Sequence, residues 1–199
     1  AGTDKQRAAD LQAQLENPKV KAIWCVRGGY GTVRMIDLVD FSVLAKQPKW
    51  IIGFSDVTVL HAHLQKMGFA SIHGLMPVNV EKASAEALES LRKILFDEPL
   101  KYELPTQPEN QLGKASGELI GGNLSILYSL MGSTSQLDGA GKILFIEEID
   151  EYLYHIDRMM MSLKLAGKLN GLKALVVGGF TDIKDNEIPF GKSYEEIIL

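Results

Sequence analysis

The sequence is poor in the features that mark secreted or membrane proteins. It has a single cysteine, Cys25, among its 199 residues, so no disulfide can form within the chain. No apolar run approaches the roughly 18 residues that a membrane-spanning helix needs, and the first residues do not show the pattern of a secretion signal. We therefore expect a cytoplasmic protein that does not bind a membrane.

An excess of positive charge is also missing. Lysine and arginine number 21 against 25 aspartate and glutamate residues, which gives a net charge of −4. No basic cluster is interleaved with aromatic residues, as a nucleic-acid groove would require. Nucleic acid is thus not an expected partner, while the apolar content of 46% suffices for a packed core.

Short apolar runs alternate with helical patterns in the first half of the chain. Residues 20–26, 50–54 and 70–73 are rich in β-branched and aromatic residues, and the first two runs are followed by a glycine or serine corner and a helical pattern. A further helix is predicted over residues 83–96. This alternation is typical of βα units in a parallel sheet, whose chemistry lies at the C-terminal ends of the strands.

The segment 97–112 differs in character, with three prolines, many polar residues and little periodicity. We interpret it as a linker between an N-terminal domain of residues 1–96 and a C-terminal domain of residues 113–199. In the second domain we expect a glycine-rich turn into an apolar helix, a buried strand ending in carboxylates, a helix and another strand, at residues 115–132, 141–151, about 152–167 and 173–178.

Ser55 stands where an apolar strand stops and a helical pattern starts. A serine hydroxyl becomes a nucleophile when it is presented at an exposed corner, with a base and with amide N–H groups for the oxyanion. Gly53 permits the sharp turn, and the N–H of Asp56 lies at the start of the next helix. The alternative is that Ser55 merely caps a helix over residues 56–67.

Gly28 and Gly29 follow the first predicted strand. Adjacent glycines allow close backbone approach, so their N–H groups could face an oxyanion or a carboxylate. An ordinary tight turn is an equal alternative. A dinucleotide site is disfavoured, because the third glycine of that fingerprint is missing.

Glu147 opens a group of four carboxylates in five residues at the end of an apolar strand. Because like charges repel, at least one of the four is expected to have a specific partner such as a histidine, an arginine or a metal; a solvated strand end is the alternative.

The four histidines offer Ser55 no convincing base. His61 and His63 lie roughly 9 and 12 Å along the helix that Ser55 precedes, too far to reach its hydroxyl. A metal site at these two is disfavoured, since no third ligand follows at helical spacing. His155 lies within a later helix, and His73, at the end of the next strand, is the one residue to consider.

Six motifs follow one another along the chain: RGGYG (27–31), GFSD (53–56), IHGLM (72–76), GELIGGNLSIL (117–127), IEEIDE (146–151) and GGFTDIKD (178–185). In order and spacing they resemble the LD-carboxypeptidase family of serine peptidases, over essentially the whole chain. Members of this family release D-alanine from murein tetrapeptides in cell-wall recycling, and a relative confers self-immunity to microcin C. The GGYG sequence is more similar to the murein branch.

The resemblance implies an α/β protein, with a Rossmann-like parallel sheet in the N-terminal domain and a smaller, β-rich C-terminal domain. It makes Ser55 the nucleophile and Glu147 the residue that orients the catalytic histidine. The oxyanion hole would be formed by the N–H of Asp56 and the Gly28–Gly29 turn. No metal or cofactor is implied, and a homodimer is common in the family.

The family's catalytic histidine lies in a Gly-His motif downstream of the segment that matches the end of this chain. We therefore expect a piece of a longer protein, lacking a first βα portion and the histidine, and almost inactive alone. His73 matches a position that the family does not use as its base. Two alternatives stay open: cleavage of a peptidyl-nucleotide of the microcin C type, and a module that binds a peptide or ligand without catalysis.

Overall fold

The computed structural model describes residues 2–199, which form two compact units. The first ends at Pro105 and the second runs from Thr106 to Leu199. The boundary lies inside the polar, proline-rich segment 97–112. None of the helices in the described residues is both long and apolar enough to cross a membrane.

The first unit contains a three-stranded parallel sheet in the order β1-β2-β3. Its strands are β1 (Ala22–Trp24), β2 (Trp50–Gly53) and β3 (Ile72–His73), and its helices are α1 (Asp4–Glu16), α2 (Thr58–Lys66) and α3 (Ala85–Leu95). The C-terminal ends of parallel strands meet at one edge, so the segments after Trp24, Gly53 and His73 are brought to the same edge of this sheet.

The core of the first unit lies around the central strand β2. Ile51 and Ile52 are fully buried, as are Leu15 of α1 and Leu64 of α2. Helix α1 begins at a capping box, in which the side chains of Thr3 and Gln6 satisfy each other's backbone N–H groups. The corner at Ser55 therefore follows the most buried strand of this unit.

The second unit is built around another three-stranded parallel sheet, in the order β4-β5-β6. Leu144 and Ile146 of the central strand are fully buried and pack with Leu124, Ile156 and Met159 in one core. The strands are β4 (Leu119–Asn123), β5 (Ile143–Ile149) and β6 (Ala174–Thr181), and the helices are α4 (Leu124–Ser129), α5 (Leu153–Leu165) and α6 (Tyr194–Ile198).

The prediction of an α/β protein with parallel sheets is confirmed, but two local predictions were wrong. The glycine-rich stretch predicted as a turn includes strand β4, because Gly121 lets the chain pass close to Phe145: a β-carbon there would lie 1.8 Å from the Phe145 carbonyl oxygen. The helical pattern after the Gly28–Gly29 turn forms short 3₁₀ turns instead of an α-helix, at Thr32–Arg34, Ile36–Leu38 and Phe41–Ala45.

Candidate active site

Ser55 occupies a strained corner directly after β2. Its φ angle is 60°, in the left-handed region that residues other than glycine rarely adopt. A 3₁₀ turn over Ser55–Val57 leads into α2, which begins at Thr58 and has no side-chain cap. Ser55 is therefore not the cap of a helix over residues 56–67, and this half-buried residue lies at a strand-to-helix elbow.

Gly53 is required by the tightness of this elbow. A β-carbon at Gly53 would lie 2.8 to 3.1 Å from the side-chain carbons of Val57. Such contacts are shorter than packed carbon atoms tolerate. The glycine two residues before the serine is thus required by the close packing of Val57 against the elbow.

The Gly28–Gly29 turn lies against Ser55. A β-carbon at Gly28 would lie 2.9 Å from Ser55 Cβ, 3.0 Å from Ser55 Oγ and 3.6 Å from the nitrogen of Asp56. Gly29 has a φ of 128°, and no atom lies within 4 Å of the corresponding position there. The structure therefore brings Gly28, Ser55 and the Asp56 amide together, with Gly29 beside them in the chain.

The side chain of Asp56 holds the segment that follows this turn. Its Oδ2 atom accepts hydrogen bonds from the backbone N–H of Thr32, at 3.0 Å, and from the Thr32 hydroxyl, at 2.7 Å. The loop is held at a second point, where Arg7 Nη1 donates to the Gly31 carbonyl at 3.1 Å. The sequence indicates a role only for the Asp56 amide. The contact between the Asp56 side chain and Thr32 has no local sequence signal, because the two residues are 24 positions apart.

His61 supports the elbow from the buried side. Its Nε2 lies 2.9 Å from the carbonyl oxygen of Gly53, and its Nδ1 lies 2.8 Å from the Ser71 hydroxyl. A carbonyl only accepts, so Nε2 carries the proton and Nδ1 accepts from Ser71. Burial lowers the pKa of His61. This neutral ring is a structural contact that the sequence did not indicate.

The other three histidines make contacts with residues different from Ser55. His63 packs on Phe41, and His155 pairs with Glu151 in the second unit. His73 packs on Phe54 and His61. Part of the His73 ring is exposed, yet the surrounding protein desolvates it and His61 lies nearby, which lowers its pKa to about 4. Such a ring is a weak base at neutral pH.

A shallow groove of about 370 Å³ lies at the same edge of the first sheet. Phe54, the residue before Ser55, lines it together with His73, Asn79 and Lys82. The Oδ1 atom of Asn79 is buried and accepts no hydrogen bond within residues 2–199. The groove thus offers a mainly apolar wall next to the elbow.

Glu147 and Glu148 end strand β5 in the second unit but have different surroundings. Glu148 is buried, at 3% exposure, and accepts hydrogen bonds from Asn123, from the backbone and hydroxyl of Ser125, and from the Ile149 N–H. The Oε1 atom of Glu147 is buried without a hydrogen-bond partner in the described part of the chain. Of the two carboxylates, only Glu147 is open to a further partner.

The pKa of Glu147 is raised to about 7. Burial is the largest cause, and repulsion from Glu148 adds to it, while a hydrogen bond from Asn123 acts in the opposite direction. A nearby cation would reverse this shift by favouring the ionised form. Glu147 therefore has the properties of a carboxylate that lacks a positively charged partner. Across residues 2–199, no three His, Cys, Asp or Glu side chains cluster closely enough to hold a metal ion.

Comparison with known proteins gives a consistent result. The LD-carboxypeptidase N-terminal domain family matches residues 1–74, and the LD-carboxypeptidase C-terminal domain family matches residues 116–199. A probable murein peptide carboxypeptidase of Bacillus subtilis is 39% identical over 90% of this chain and 58% of its own length. The murein tetrapeptide carboxypeptidase of Pseudomonas aeruginosa is 34% identical over 94% of this chain and 65% of its own length.

Solved structures agree with the sequence matches. The crystal structure of muramoyltetrapeptide carboxypeptidase from Oxalobacter formigenes superimposes with a TM-score of 0.82 at 32% identity, covering 100% of this chain and 70% of that one. The microcin C7 self-immunity protein MccF has the same fold, with a TM-score of 0.85 at 24% identity, over 99% of this chain and 68% of that one. The chain spans about three fifths of the curated relatives, 58% and 60% in two of them. The chain belongs to the LD-carboxypeptidase family.

Proposed function

We propose that the full-length protein containing this chain is a serine LD-carboxypeptidase that releases D-alanine from murein tetrapeptides. The observation that carries the proposal is Ser55 at φ 60°, with Gly28 against its hydroxyl. A strained serine at a strand-to-helix corner is the arrangement of a nucleophile elbow. Similarity to murein peptide carboxypeptidases of B. subtilis and P. aeruginosa supports the substrate class.

The proposed first step is acylation of Ser55. Its oxygen attacks the carbonyl carbon of the bond between the L-centre and the terminal D-alanine, while a histidine accepts the hydroxyl proton. Collapse of the tetrahedral intermediate breaks the carbon–nitrogen bond, and the histidine returns the proton to the leaving amine. Water then hydrolyses the acyl-enzyme. This chemistry uses no metal or cofactor.

The oxyanion hole is assigned to the Asp56 N–H and the Gly28–Gly29 turn. The Asp56 nitrogen is 3.6 Å from where a β-carbon of Gly28 would stand, so the turn and this amide border the same space beside Ser55. Loss of one such donor typically slows the chemical step by about 10² to 10³. The hole is thus expected to contribute a large share of the rate.

The catalytic histidine is expected in the full-length protein outside these 199 residues, and Glu147 is proposed to orient it. The support is the free, buried Oε1 of Glu147 and its raised pKa, because an imidazolium would supply the missing charge and hydrogen bond. Glu147→Gln is expected to lower kcat by two to four powers of ten. Unchanged kcat would remove Glu147 from the mechanism.

The setting of this activity is also proposed from the family resemblance. We infer a cytoplasmic enzyme, a homodimer, and a Rossmann-like N-terminal domain, for which the parallel order β1-β2-β3 gives partial support. The domain division at residues 1–96, 97–112 and 113–199 is part of the same proposal. Sedimentation of the full-length protein tests the dimer.

The central test is the release of D-alanine from a murein tetrapeptide by the full-length protein. Ser55→Ala is expected to reduce turnover by at least about 10⁴-fold without loss of folding. Ser90→Ala in α3, away from the elbow, serves as the matched control and should keep full activity. A Ser55→Ala variant that still turns over substrate contradicts the proposal.

Substrate choice separates this proposal from its rivals. The same preparation is tested with a murein tetrapeptide and with a peptidyl-nucleotide. The tetrapeptide is supplied in two forms, with meso-diaminopimelate or with lysine as its third residue. Faster cleavage of the peptidyl-nucleotide would favour a microcin-type activity. Binding of the tetrapeptide with equal affinity to wild type and Ser55→Ala, without turnover by either, would indicate a binding module.

The isolated 199-residue chain provides a further check. If its base lies outside these residues, the chain alone should be slower than the full-length protein by several powers of ten. An enzyme-like rate from the 199-residue chain would instead require a base among His61, His63, His73 and His155.

A further inference from the structure

The carboxylate of Asp56 connects the two halves of the proposed oxyanion hole. Its own N–H is one donor, and its side chain grips Thr32, which directly follows the Gly28–Gly31 turn that supplies the other. We propose that Asp56 is a positioning residue, whose side chain fixes this turn against Ser55 so that both donors are aimed before substrate arrives. This inference rests on the proposed acyl transfer and deepens it.

The contact is buried and specific. Asp56 and Thr32 are 5% and 6% exposed. One oxygen of Asp56, Oδ2, accepts from both the N–H and the hydroxyl of Thr32. Two donors on one residue fix both the distance and the direction of the backbone at Thr32, which a single bond would not do.

Stability alone does not explain this carboxylate. Its second oxygen, Oδ1, is buried and has no hydrogen-bond partner in residues 2–199. A buried polar atom without a partner opposes folding, because it gives up its bonds to water. The presence of this carboxylate is better explained by its other oxygen, Oδ2, which holds Thr32 in place.

The Gly28–Gly31 turn needs such an anchor. Gly29 and Gly31 have φ angles of 128° and 116°, and a glycine-rich segment loses more backbone freedom on ordering than other segments do. Arg7 holds the Gly31 carbonyl at the same place, but through a flexible side chain. The Asp56–Thr32 contact joins the Gly28–Gly31 turn to the residue that follows Ser55. A displacement of the turn relative to the Asp56 amide is therefore resisted by this contact.

The test compares variants of the full-length protein in the tetrapeptide assay. Thr32→Val removes the hydroxyl bond while keeping shape and N–H, and should lower kcat about tenfold with KM changed less than threefold. Thr32→Ser restores the hydroxyl and should recover most of this loss. Asp56→Ala removes both bonds and should lower kcat about 10² to 10³-fold.

A matched control separates positioning from general stability. Thr3→Val removes another threonine hydroxyl bond in the same unit, the cap of α1, and should lower the melting temperature but leave kcat unchanged. Equal kcat values for wild type and Thr32→Val, or a loss in Thr32→Val that Thr32→Ser does not recover, would overturn the positioning role.

A second readout distinguishes failure of this inference from failure of the proposed function. A fluorophosphonate labels an activated serine: the serine oxygen displaces fluoride from phosphorus and the hydroxyl proton passes to the base. If the wild type is labelled at Ser55 but does not cleave the tetrapeptide, the substrate proposal fails and the labelling rates of the same variants test Asp56. If Ser55 is neither labelled nor catalytic, both proposals fail.

Discussion

Gly28 and Ser55 are 27 residues apart in sequence and in direct contact in the structure. A β-carbon at Gly28 would stand 2.9 Å from Ser55 Cβ and 3.0 Å from its Oγ. Any side chain at position 28 would therefore occupy the space in front of the hydroxyl. The glycine is required by the close approach of two segments, each of which follows a strand of the same sheet.

Gly28→Ala is expected to reduce activity of the full-length protein by about 10² to 10³-fold or more. The added methyl group must displace either the serine side chain or the turn, and misplacement of about 1 Å costs on the order of 10²-fold. Gly179→Ala is the control, because no atom lies within 4 Å of the position that its methyl group would take and its φ is not positive. Steady-state kinetics of the two variants measures the effect. A fully active Gly28→Ala variant would contradict the close approach of Gly28 to Ser55.

Ser55→Gly is expected to be more stable than Ser55→Ala. At φ 60° an alanine keeps the left-handed strain of about 1–2 kcal/mol, whereas glycine does not. The greater freedom of glycine in the unfolded chain offsets about 0.4–1 kcal/mol of this gain. A difference of up to about 1.6 kcal/mol should appear in thermal denaturation, as a rise of several degrees in the melting temperature.

The same two substitutions at position 90 should give the opposite order of stability. Ser90 lies inside helix α3, where glycine is about 1 kcal/mol less favourable than alanine. Ser90→Gly should therefore be less stable than Ser90→Ala. If glycine destabilised both positions equally, the strain at Ser55 would not exist in solution.

Much of the fold could be predicted from the sequence because hydrophobic runs mark buried strands. Strands β2 and β5 lie within the predicted ranges, since each is an apolar run with a clear end. Strand β4 was missed because its two glycines are typical of turns. The glycine at position 121 is there because the neighbouring strand passes too close for a side chain, and that constraint comes from another part of the chain.

Single residues of the candidate site could be predicted from the sequence, but the contacts between distant segments of the site could not. The Gly53–Ser55 corner is a local pattern, and local patterns can be read from sequence. The contacts of Asp56 with Thr32 and of His61 with Gly53 depend on which segments the sheet brings together. The difference between Glu147 and Glu148 likewise arises from their neighbours, since the two residues are chemically identical.

Glu147→Gln is expected to stabilise the 199-residue chain at pH 8. The pKa of Glu147 rises from 4.5 to about 7 on folding, so ionisation is less favourable in the folded state. The stability of the wild type relative to the variant should be highest below pH 4.5, fall as the pH rises to about 7, and then stay constant. The total change is about 1–2 kcal/mol, reduced for the partial exposure of this side chain.

Urea denaturation from pH 4 to pH 8.5 measures this difference. A difference between the two proteins that did not vary with pH would show that the pKa of Glu147 is not raised. In the full-length protein the same variant should lose activity, and the stability gain should be smaller or absent, because the proposed histidine would stabilise the ionised Glu147 there.

Glu148→Ala is expected to have the opposite effect to Glu147→Gln on stability. Removing Glu148 leaves the Ser125 N–H without its acceptor and takes one of two partners from the Asn123 amide, which also bonds Glu147, and from the Ser125 hydroxyl, which also donates to Asn123 Oδ1. A buried donor without a partner costs about 1–3 kcal/mol, so a loss of about this size is expected by urea denaturation. Because β5 pairs with β4 at Asn123 and Glu147, the start of α4 should loosen first, which hydrogen exchange at Ser125 and Ile126 would detect. A stable Glu148→Ala variant with unchanged exchange would show that this network does not hold the end of the second sheet.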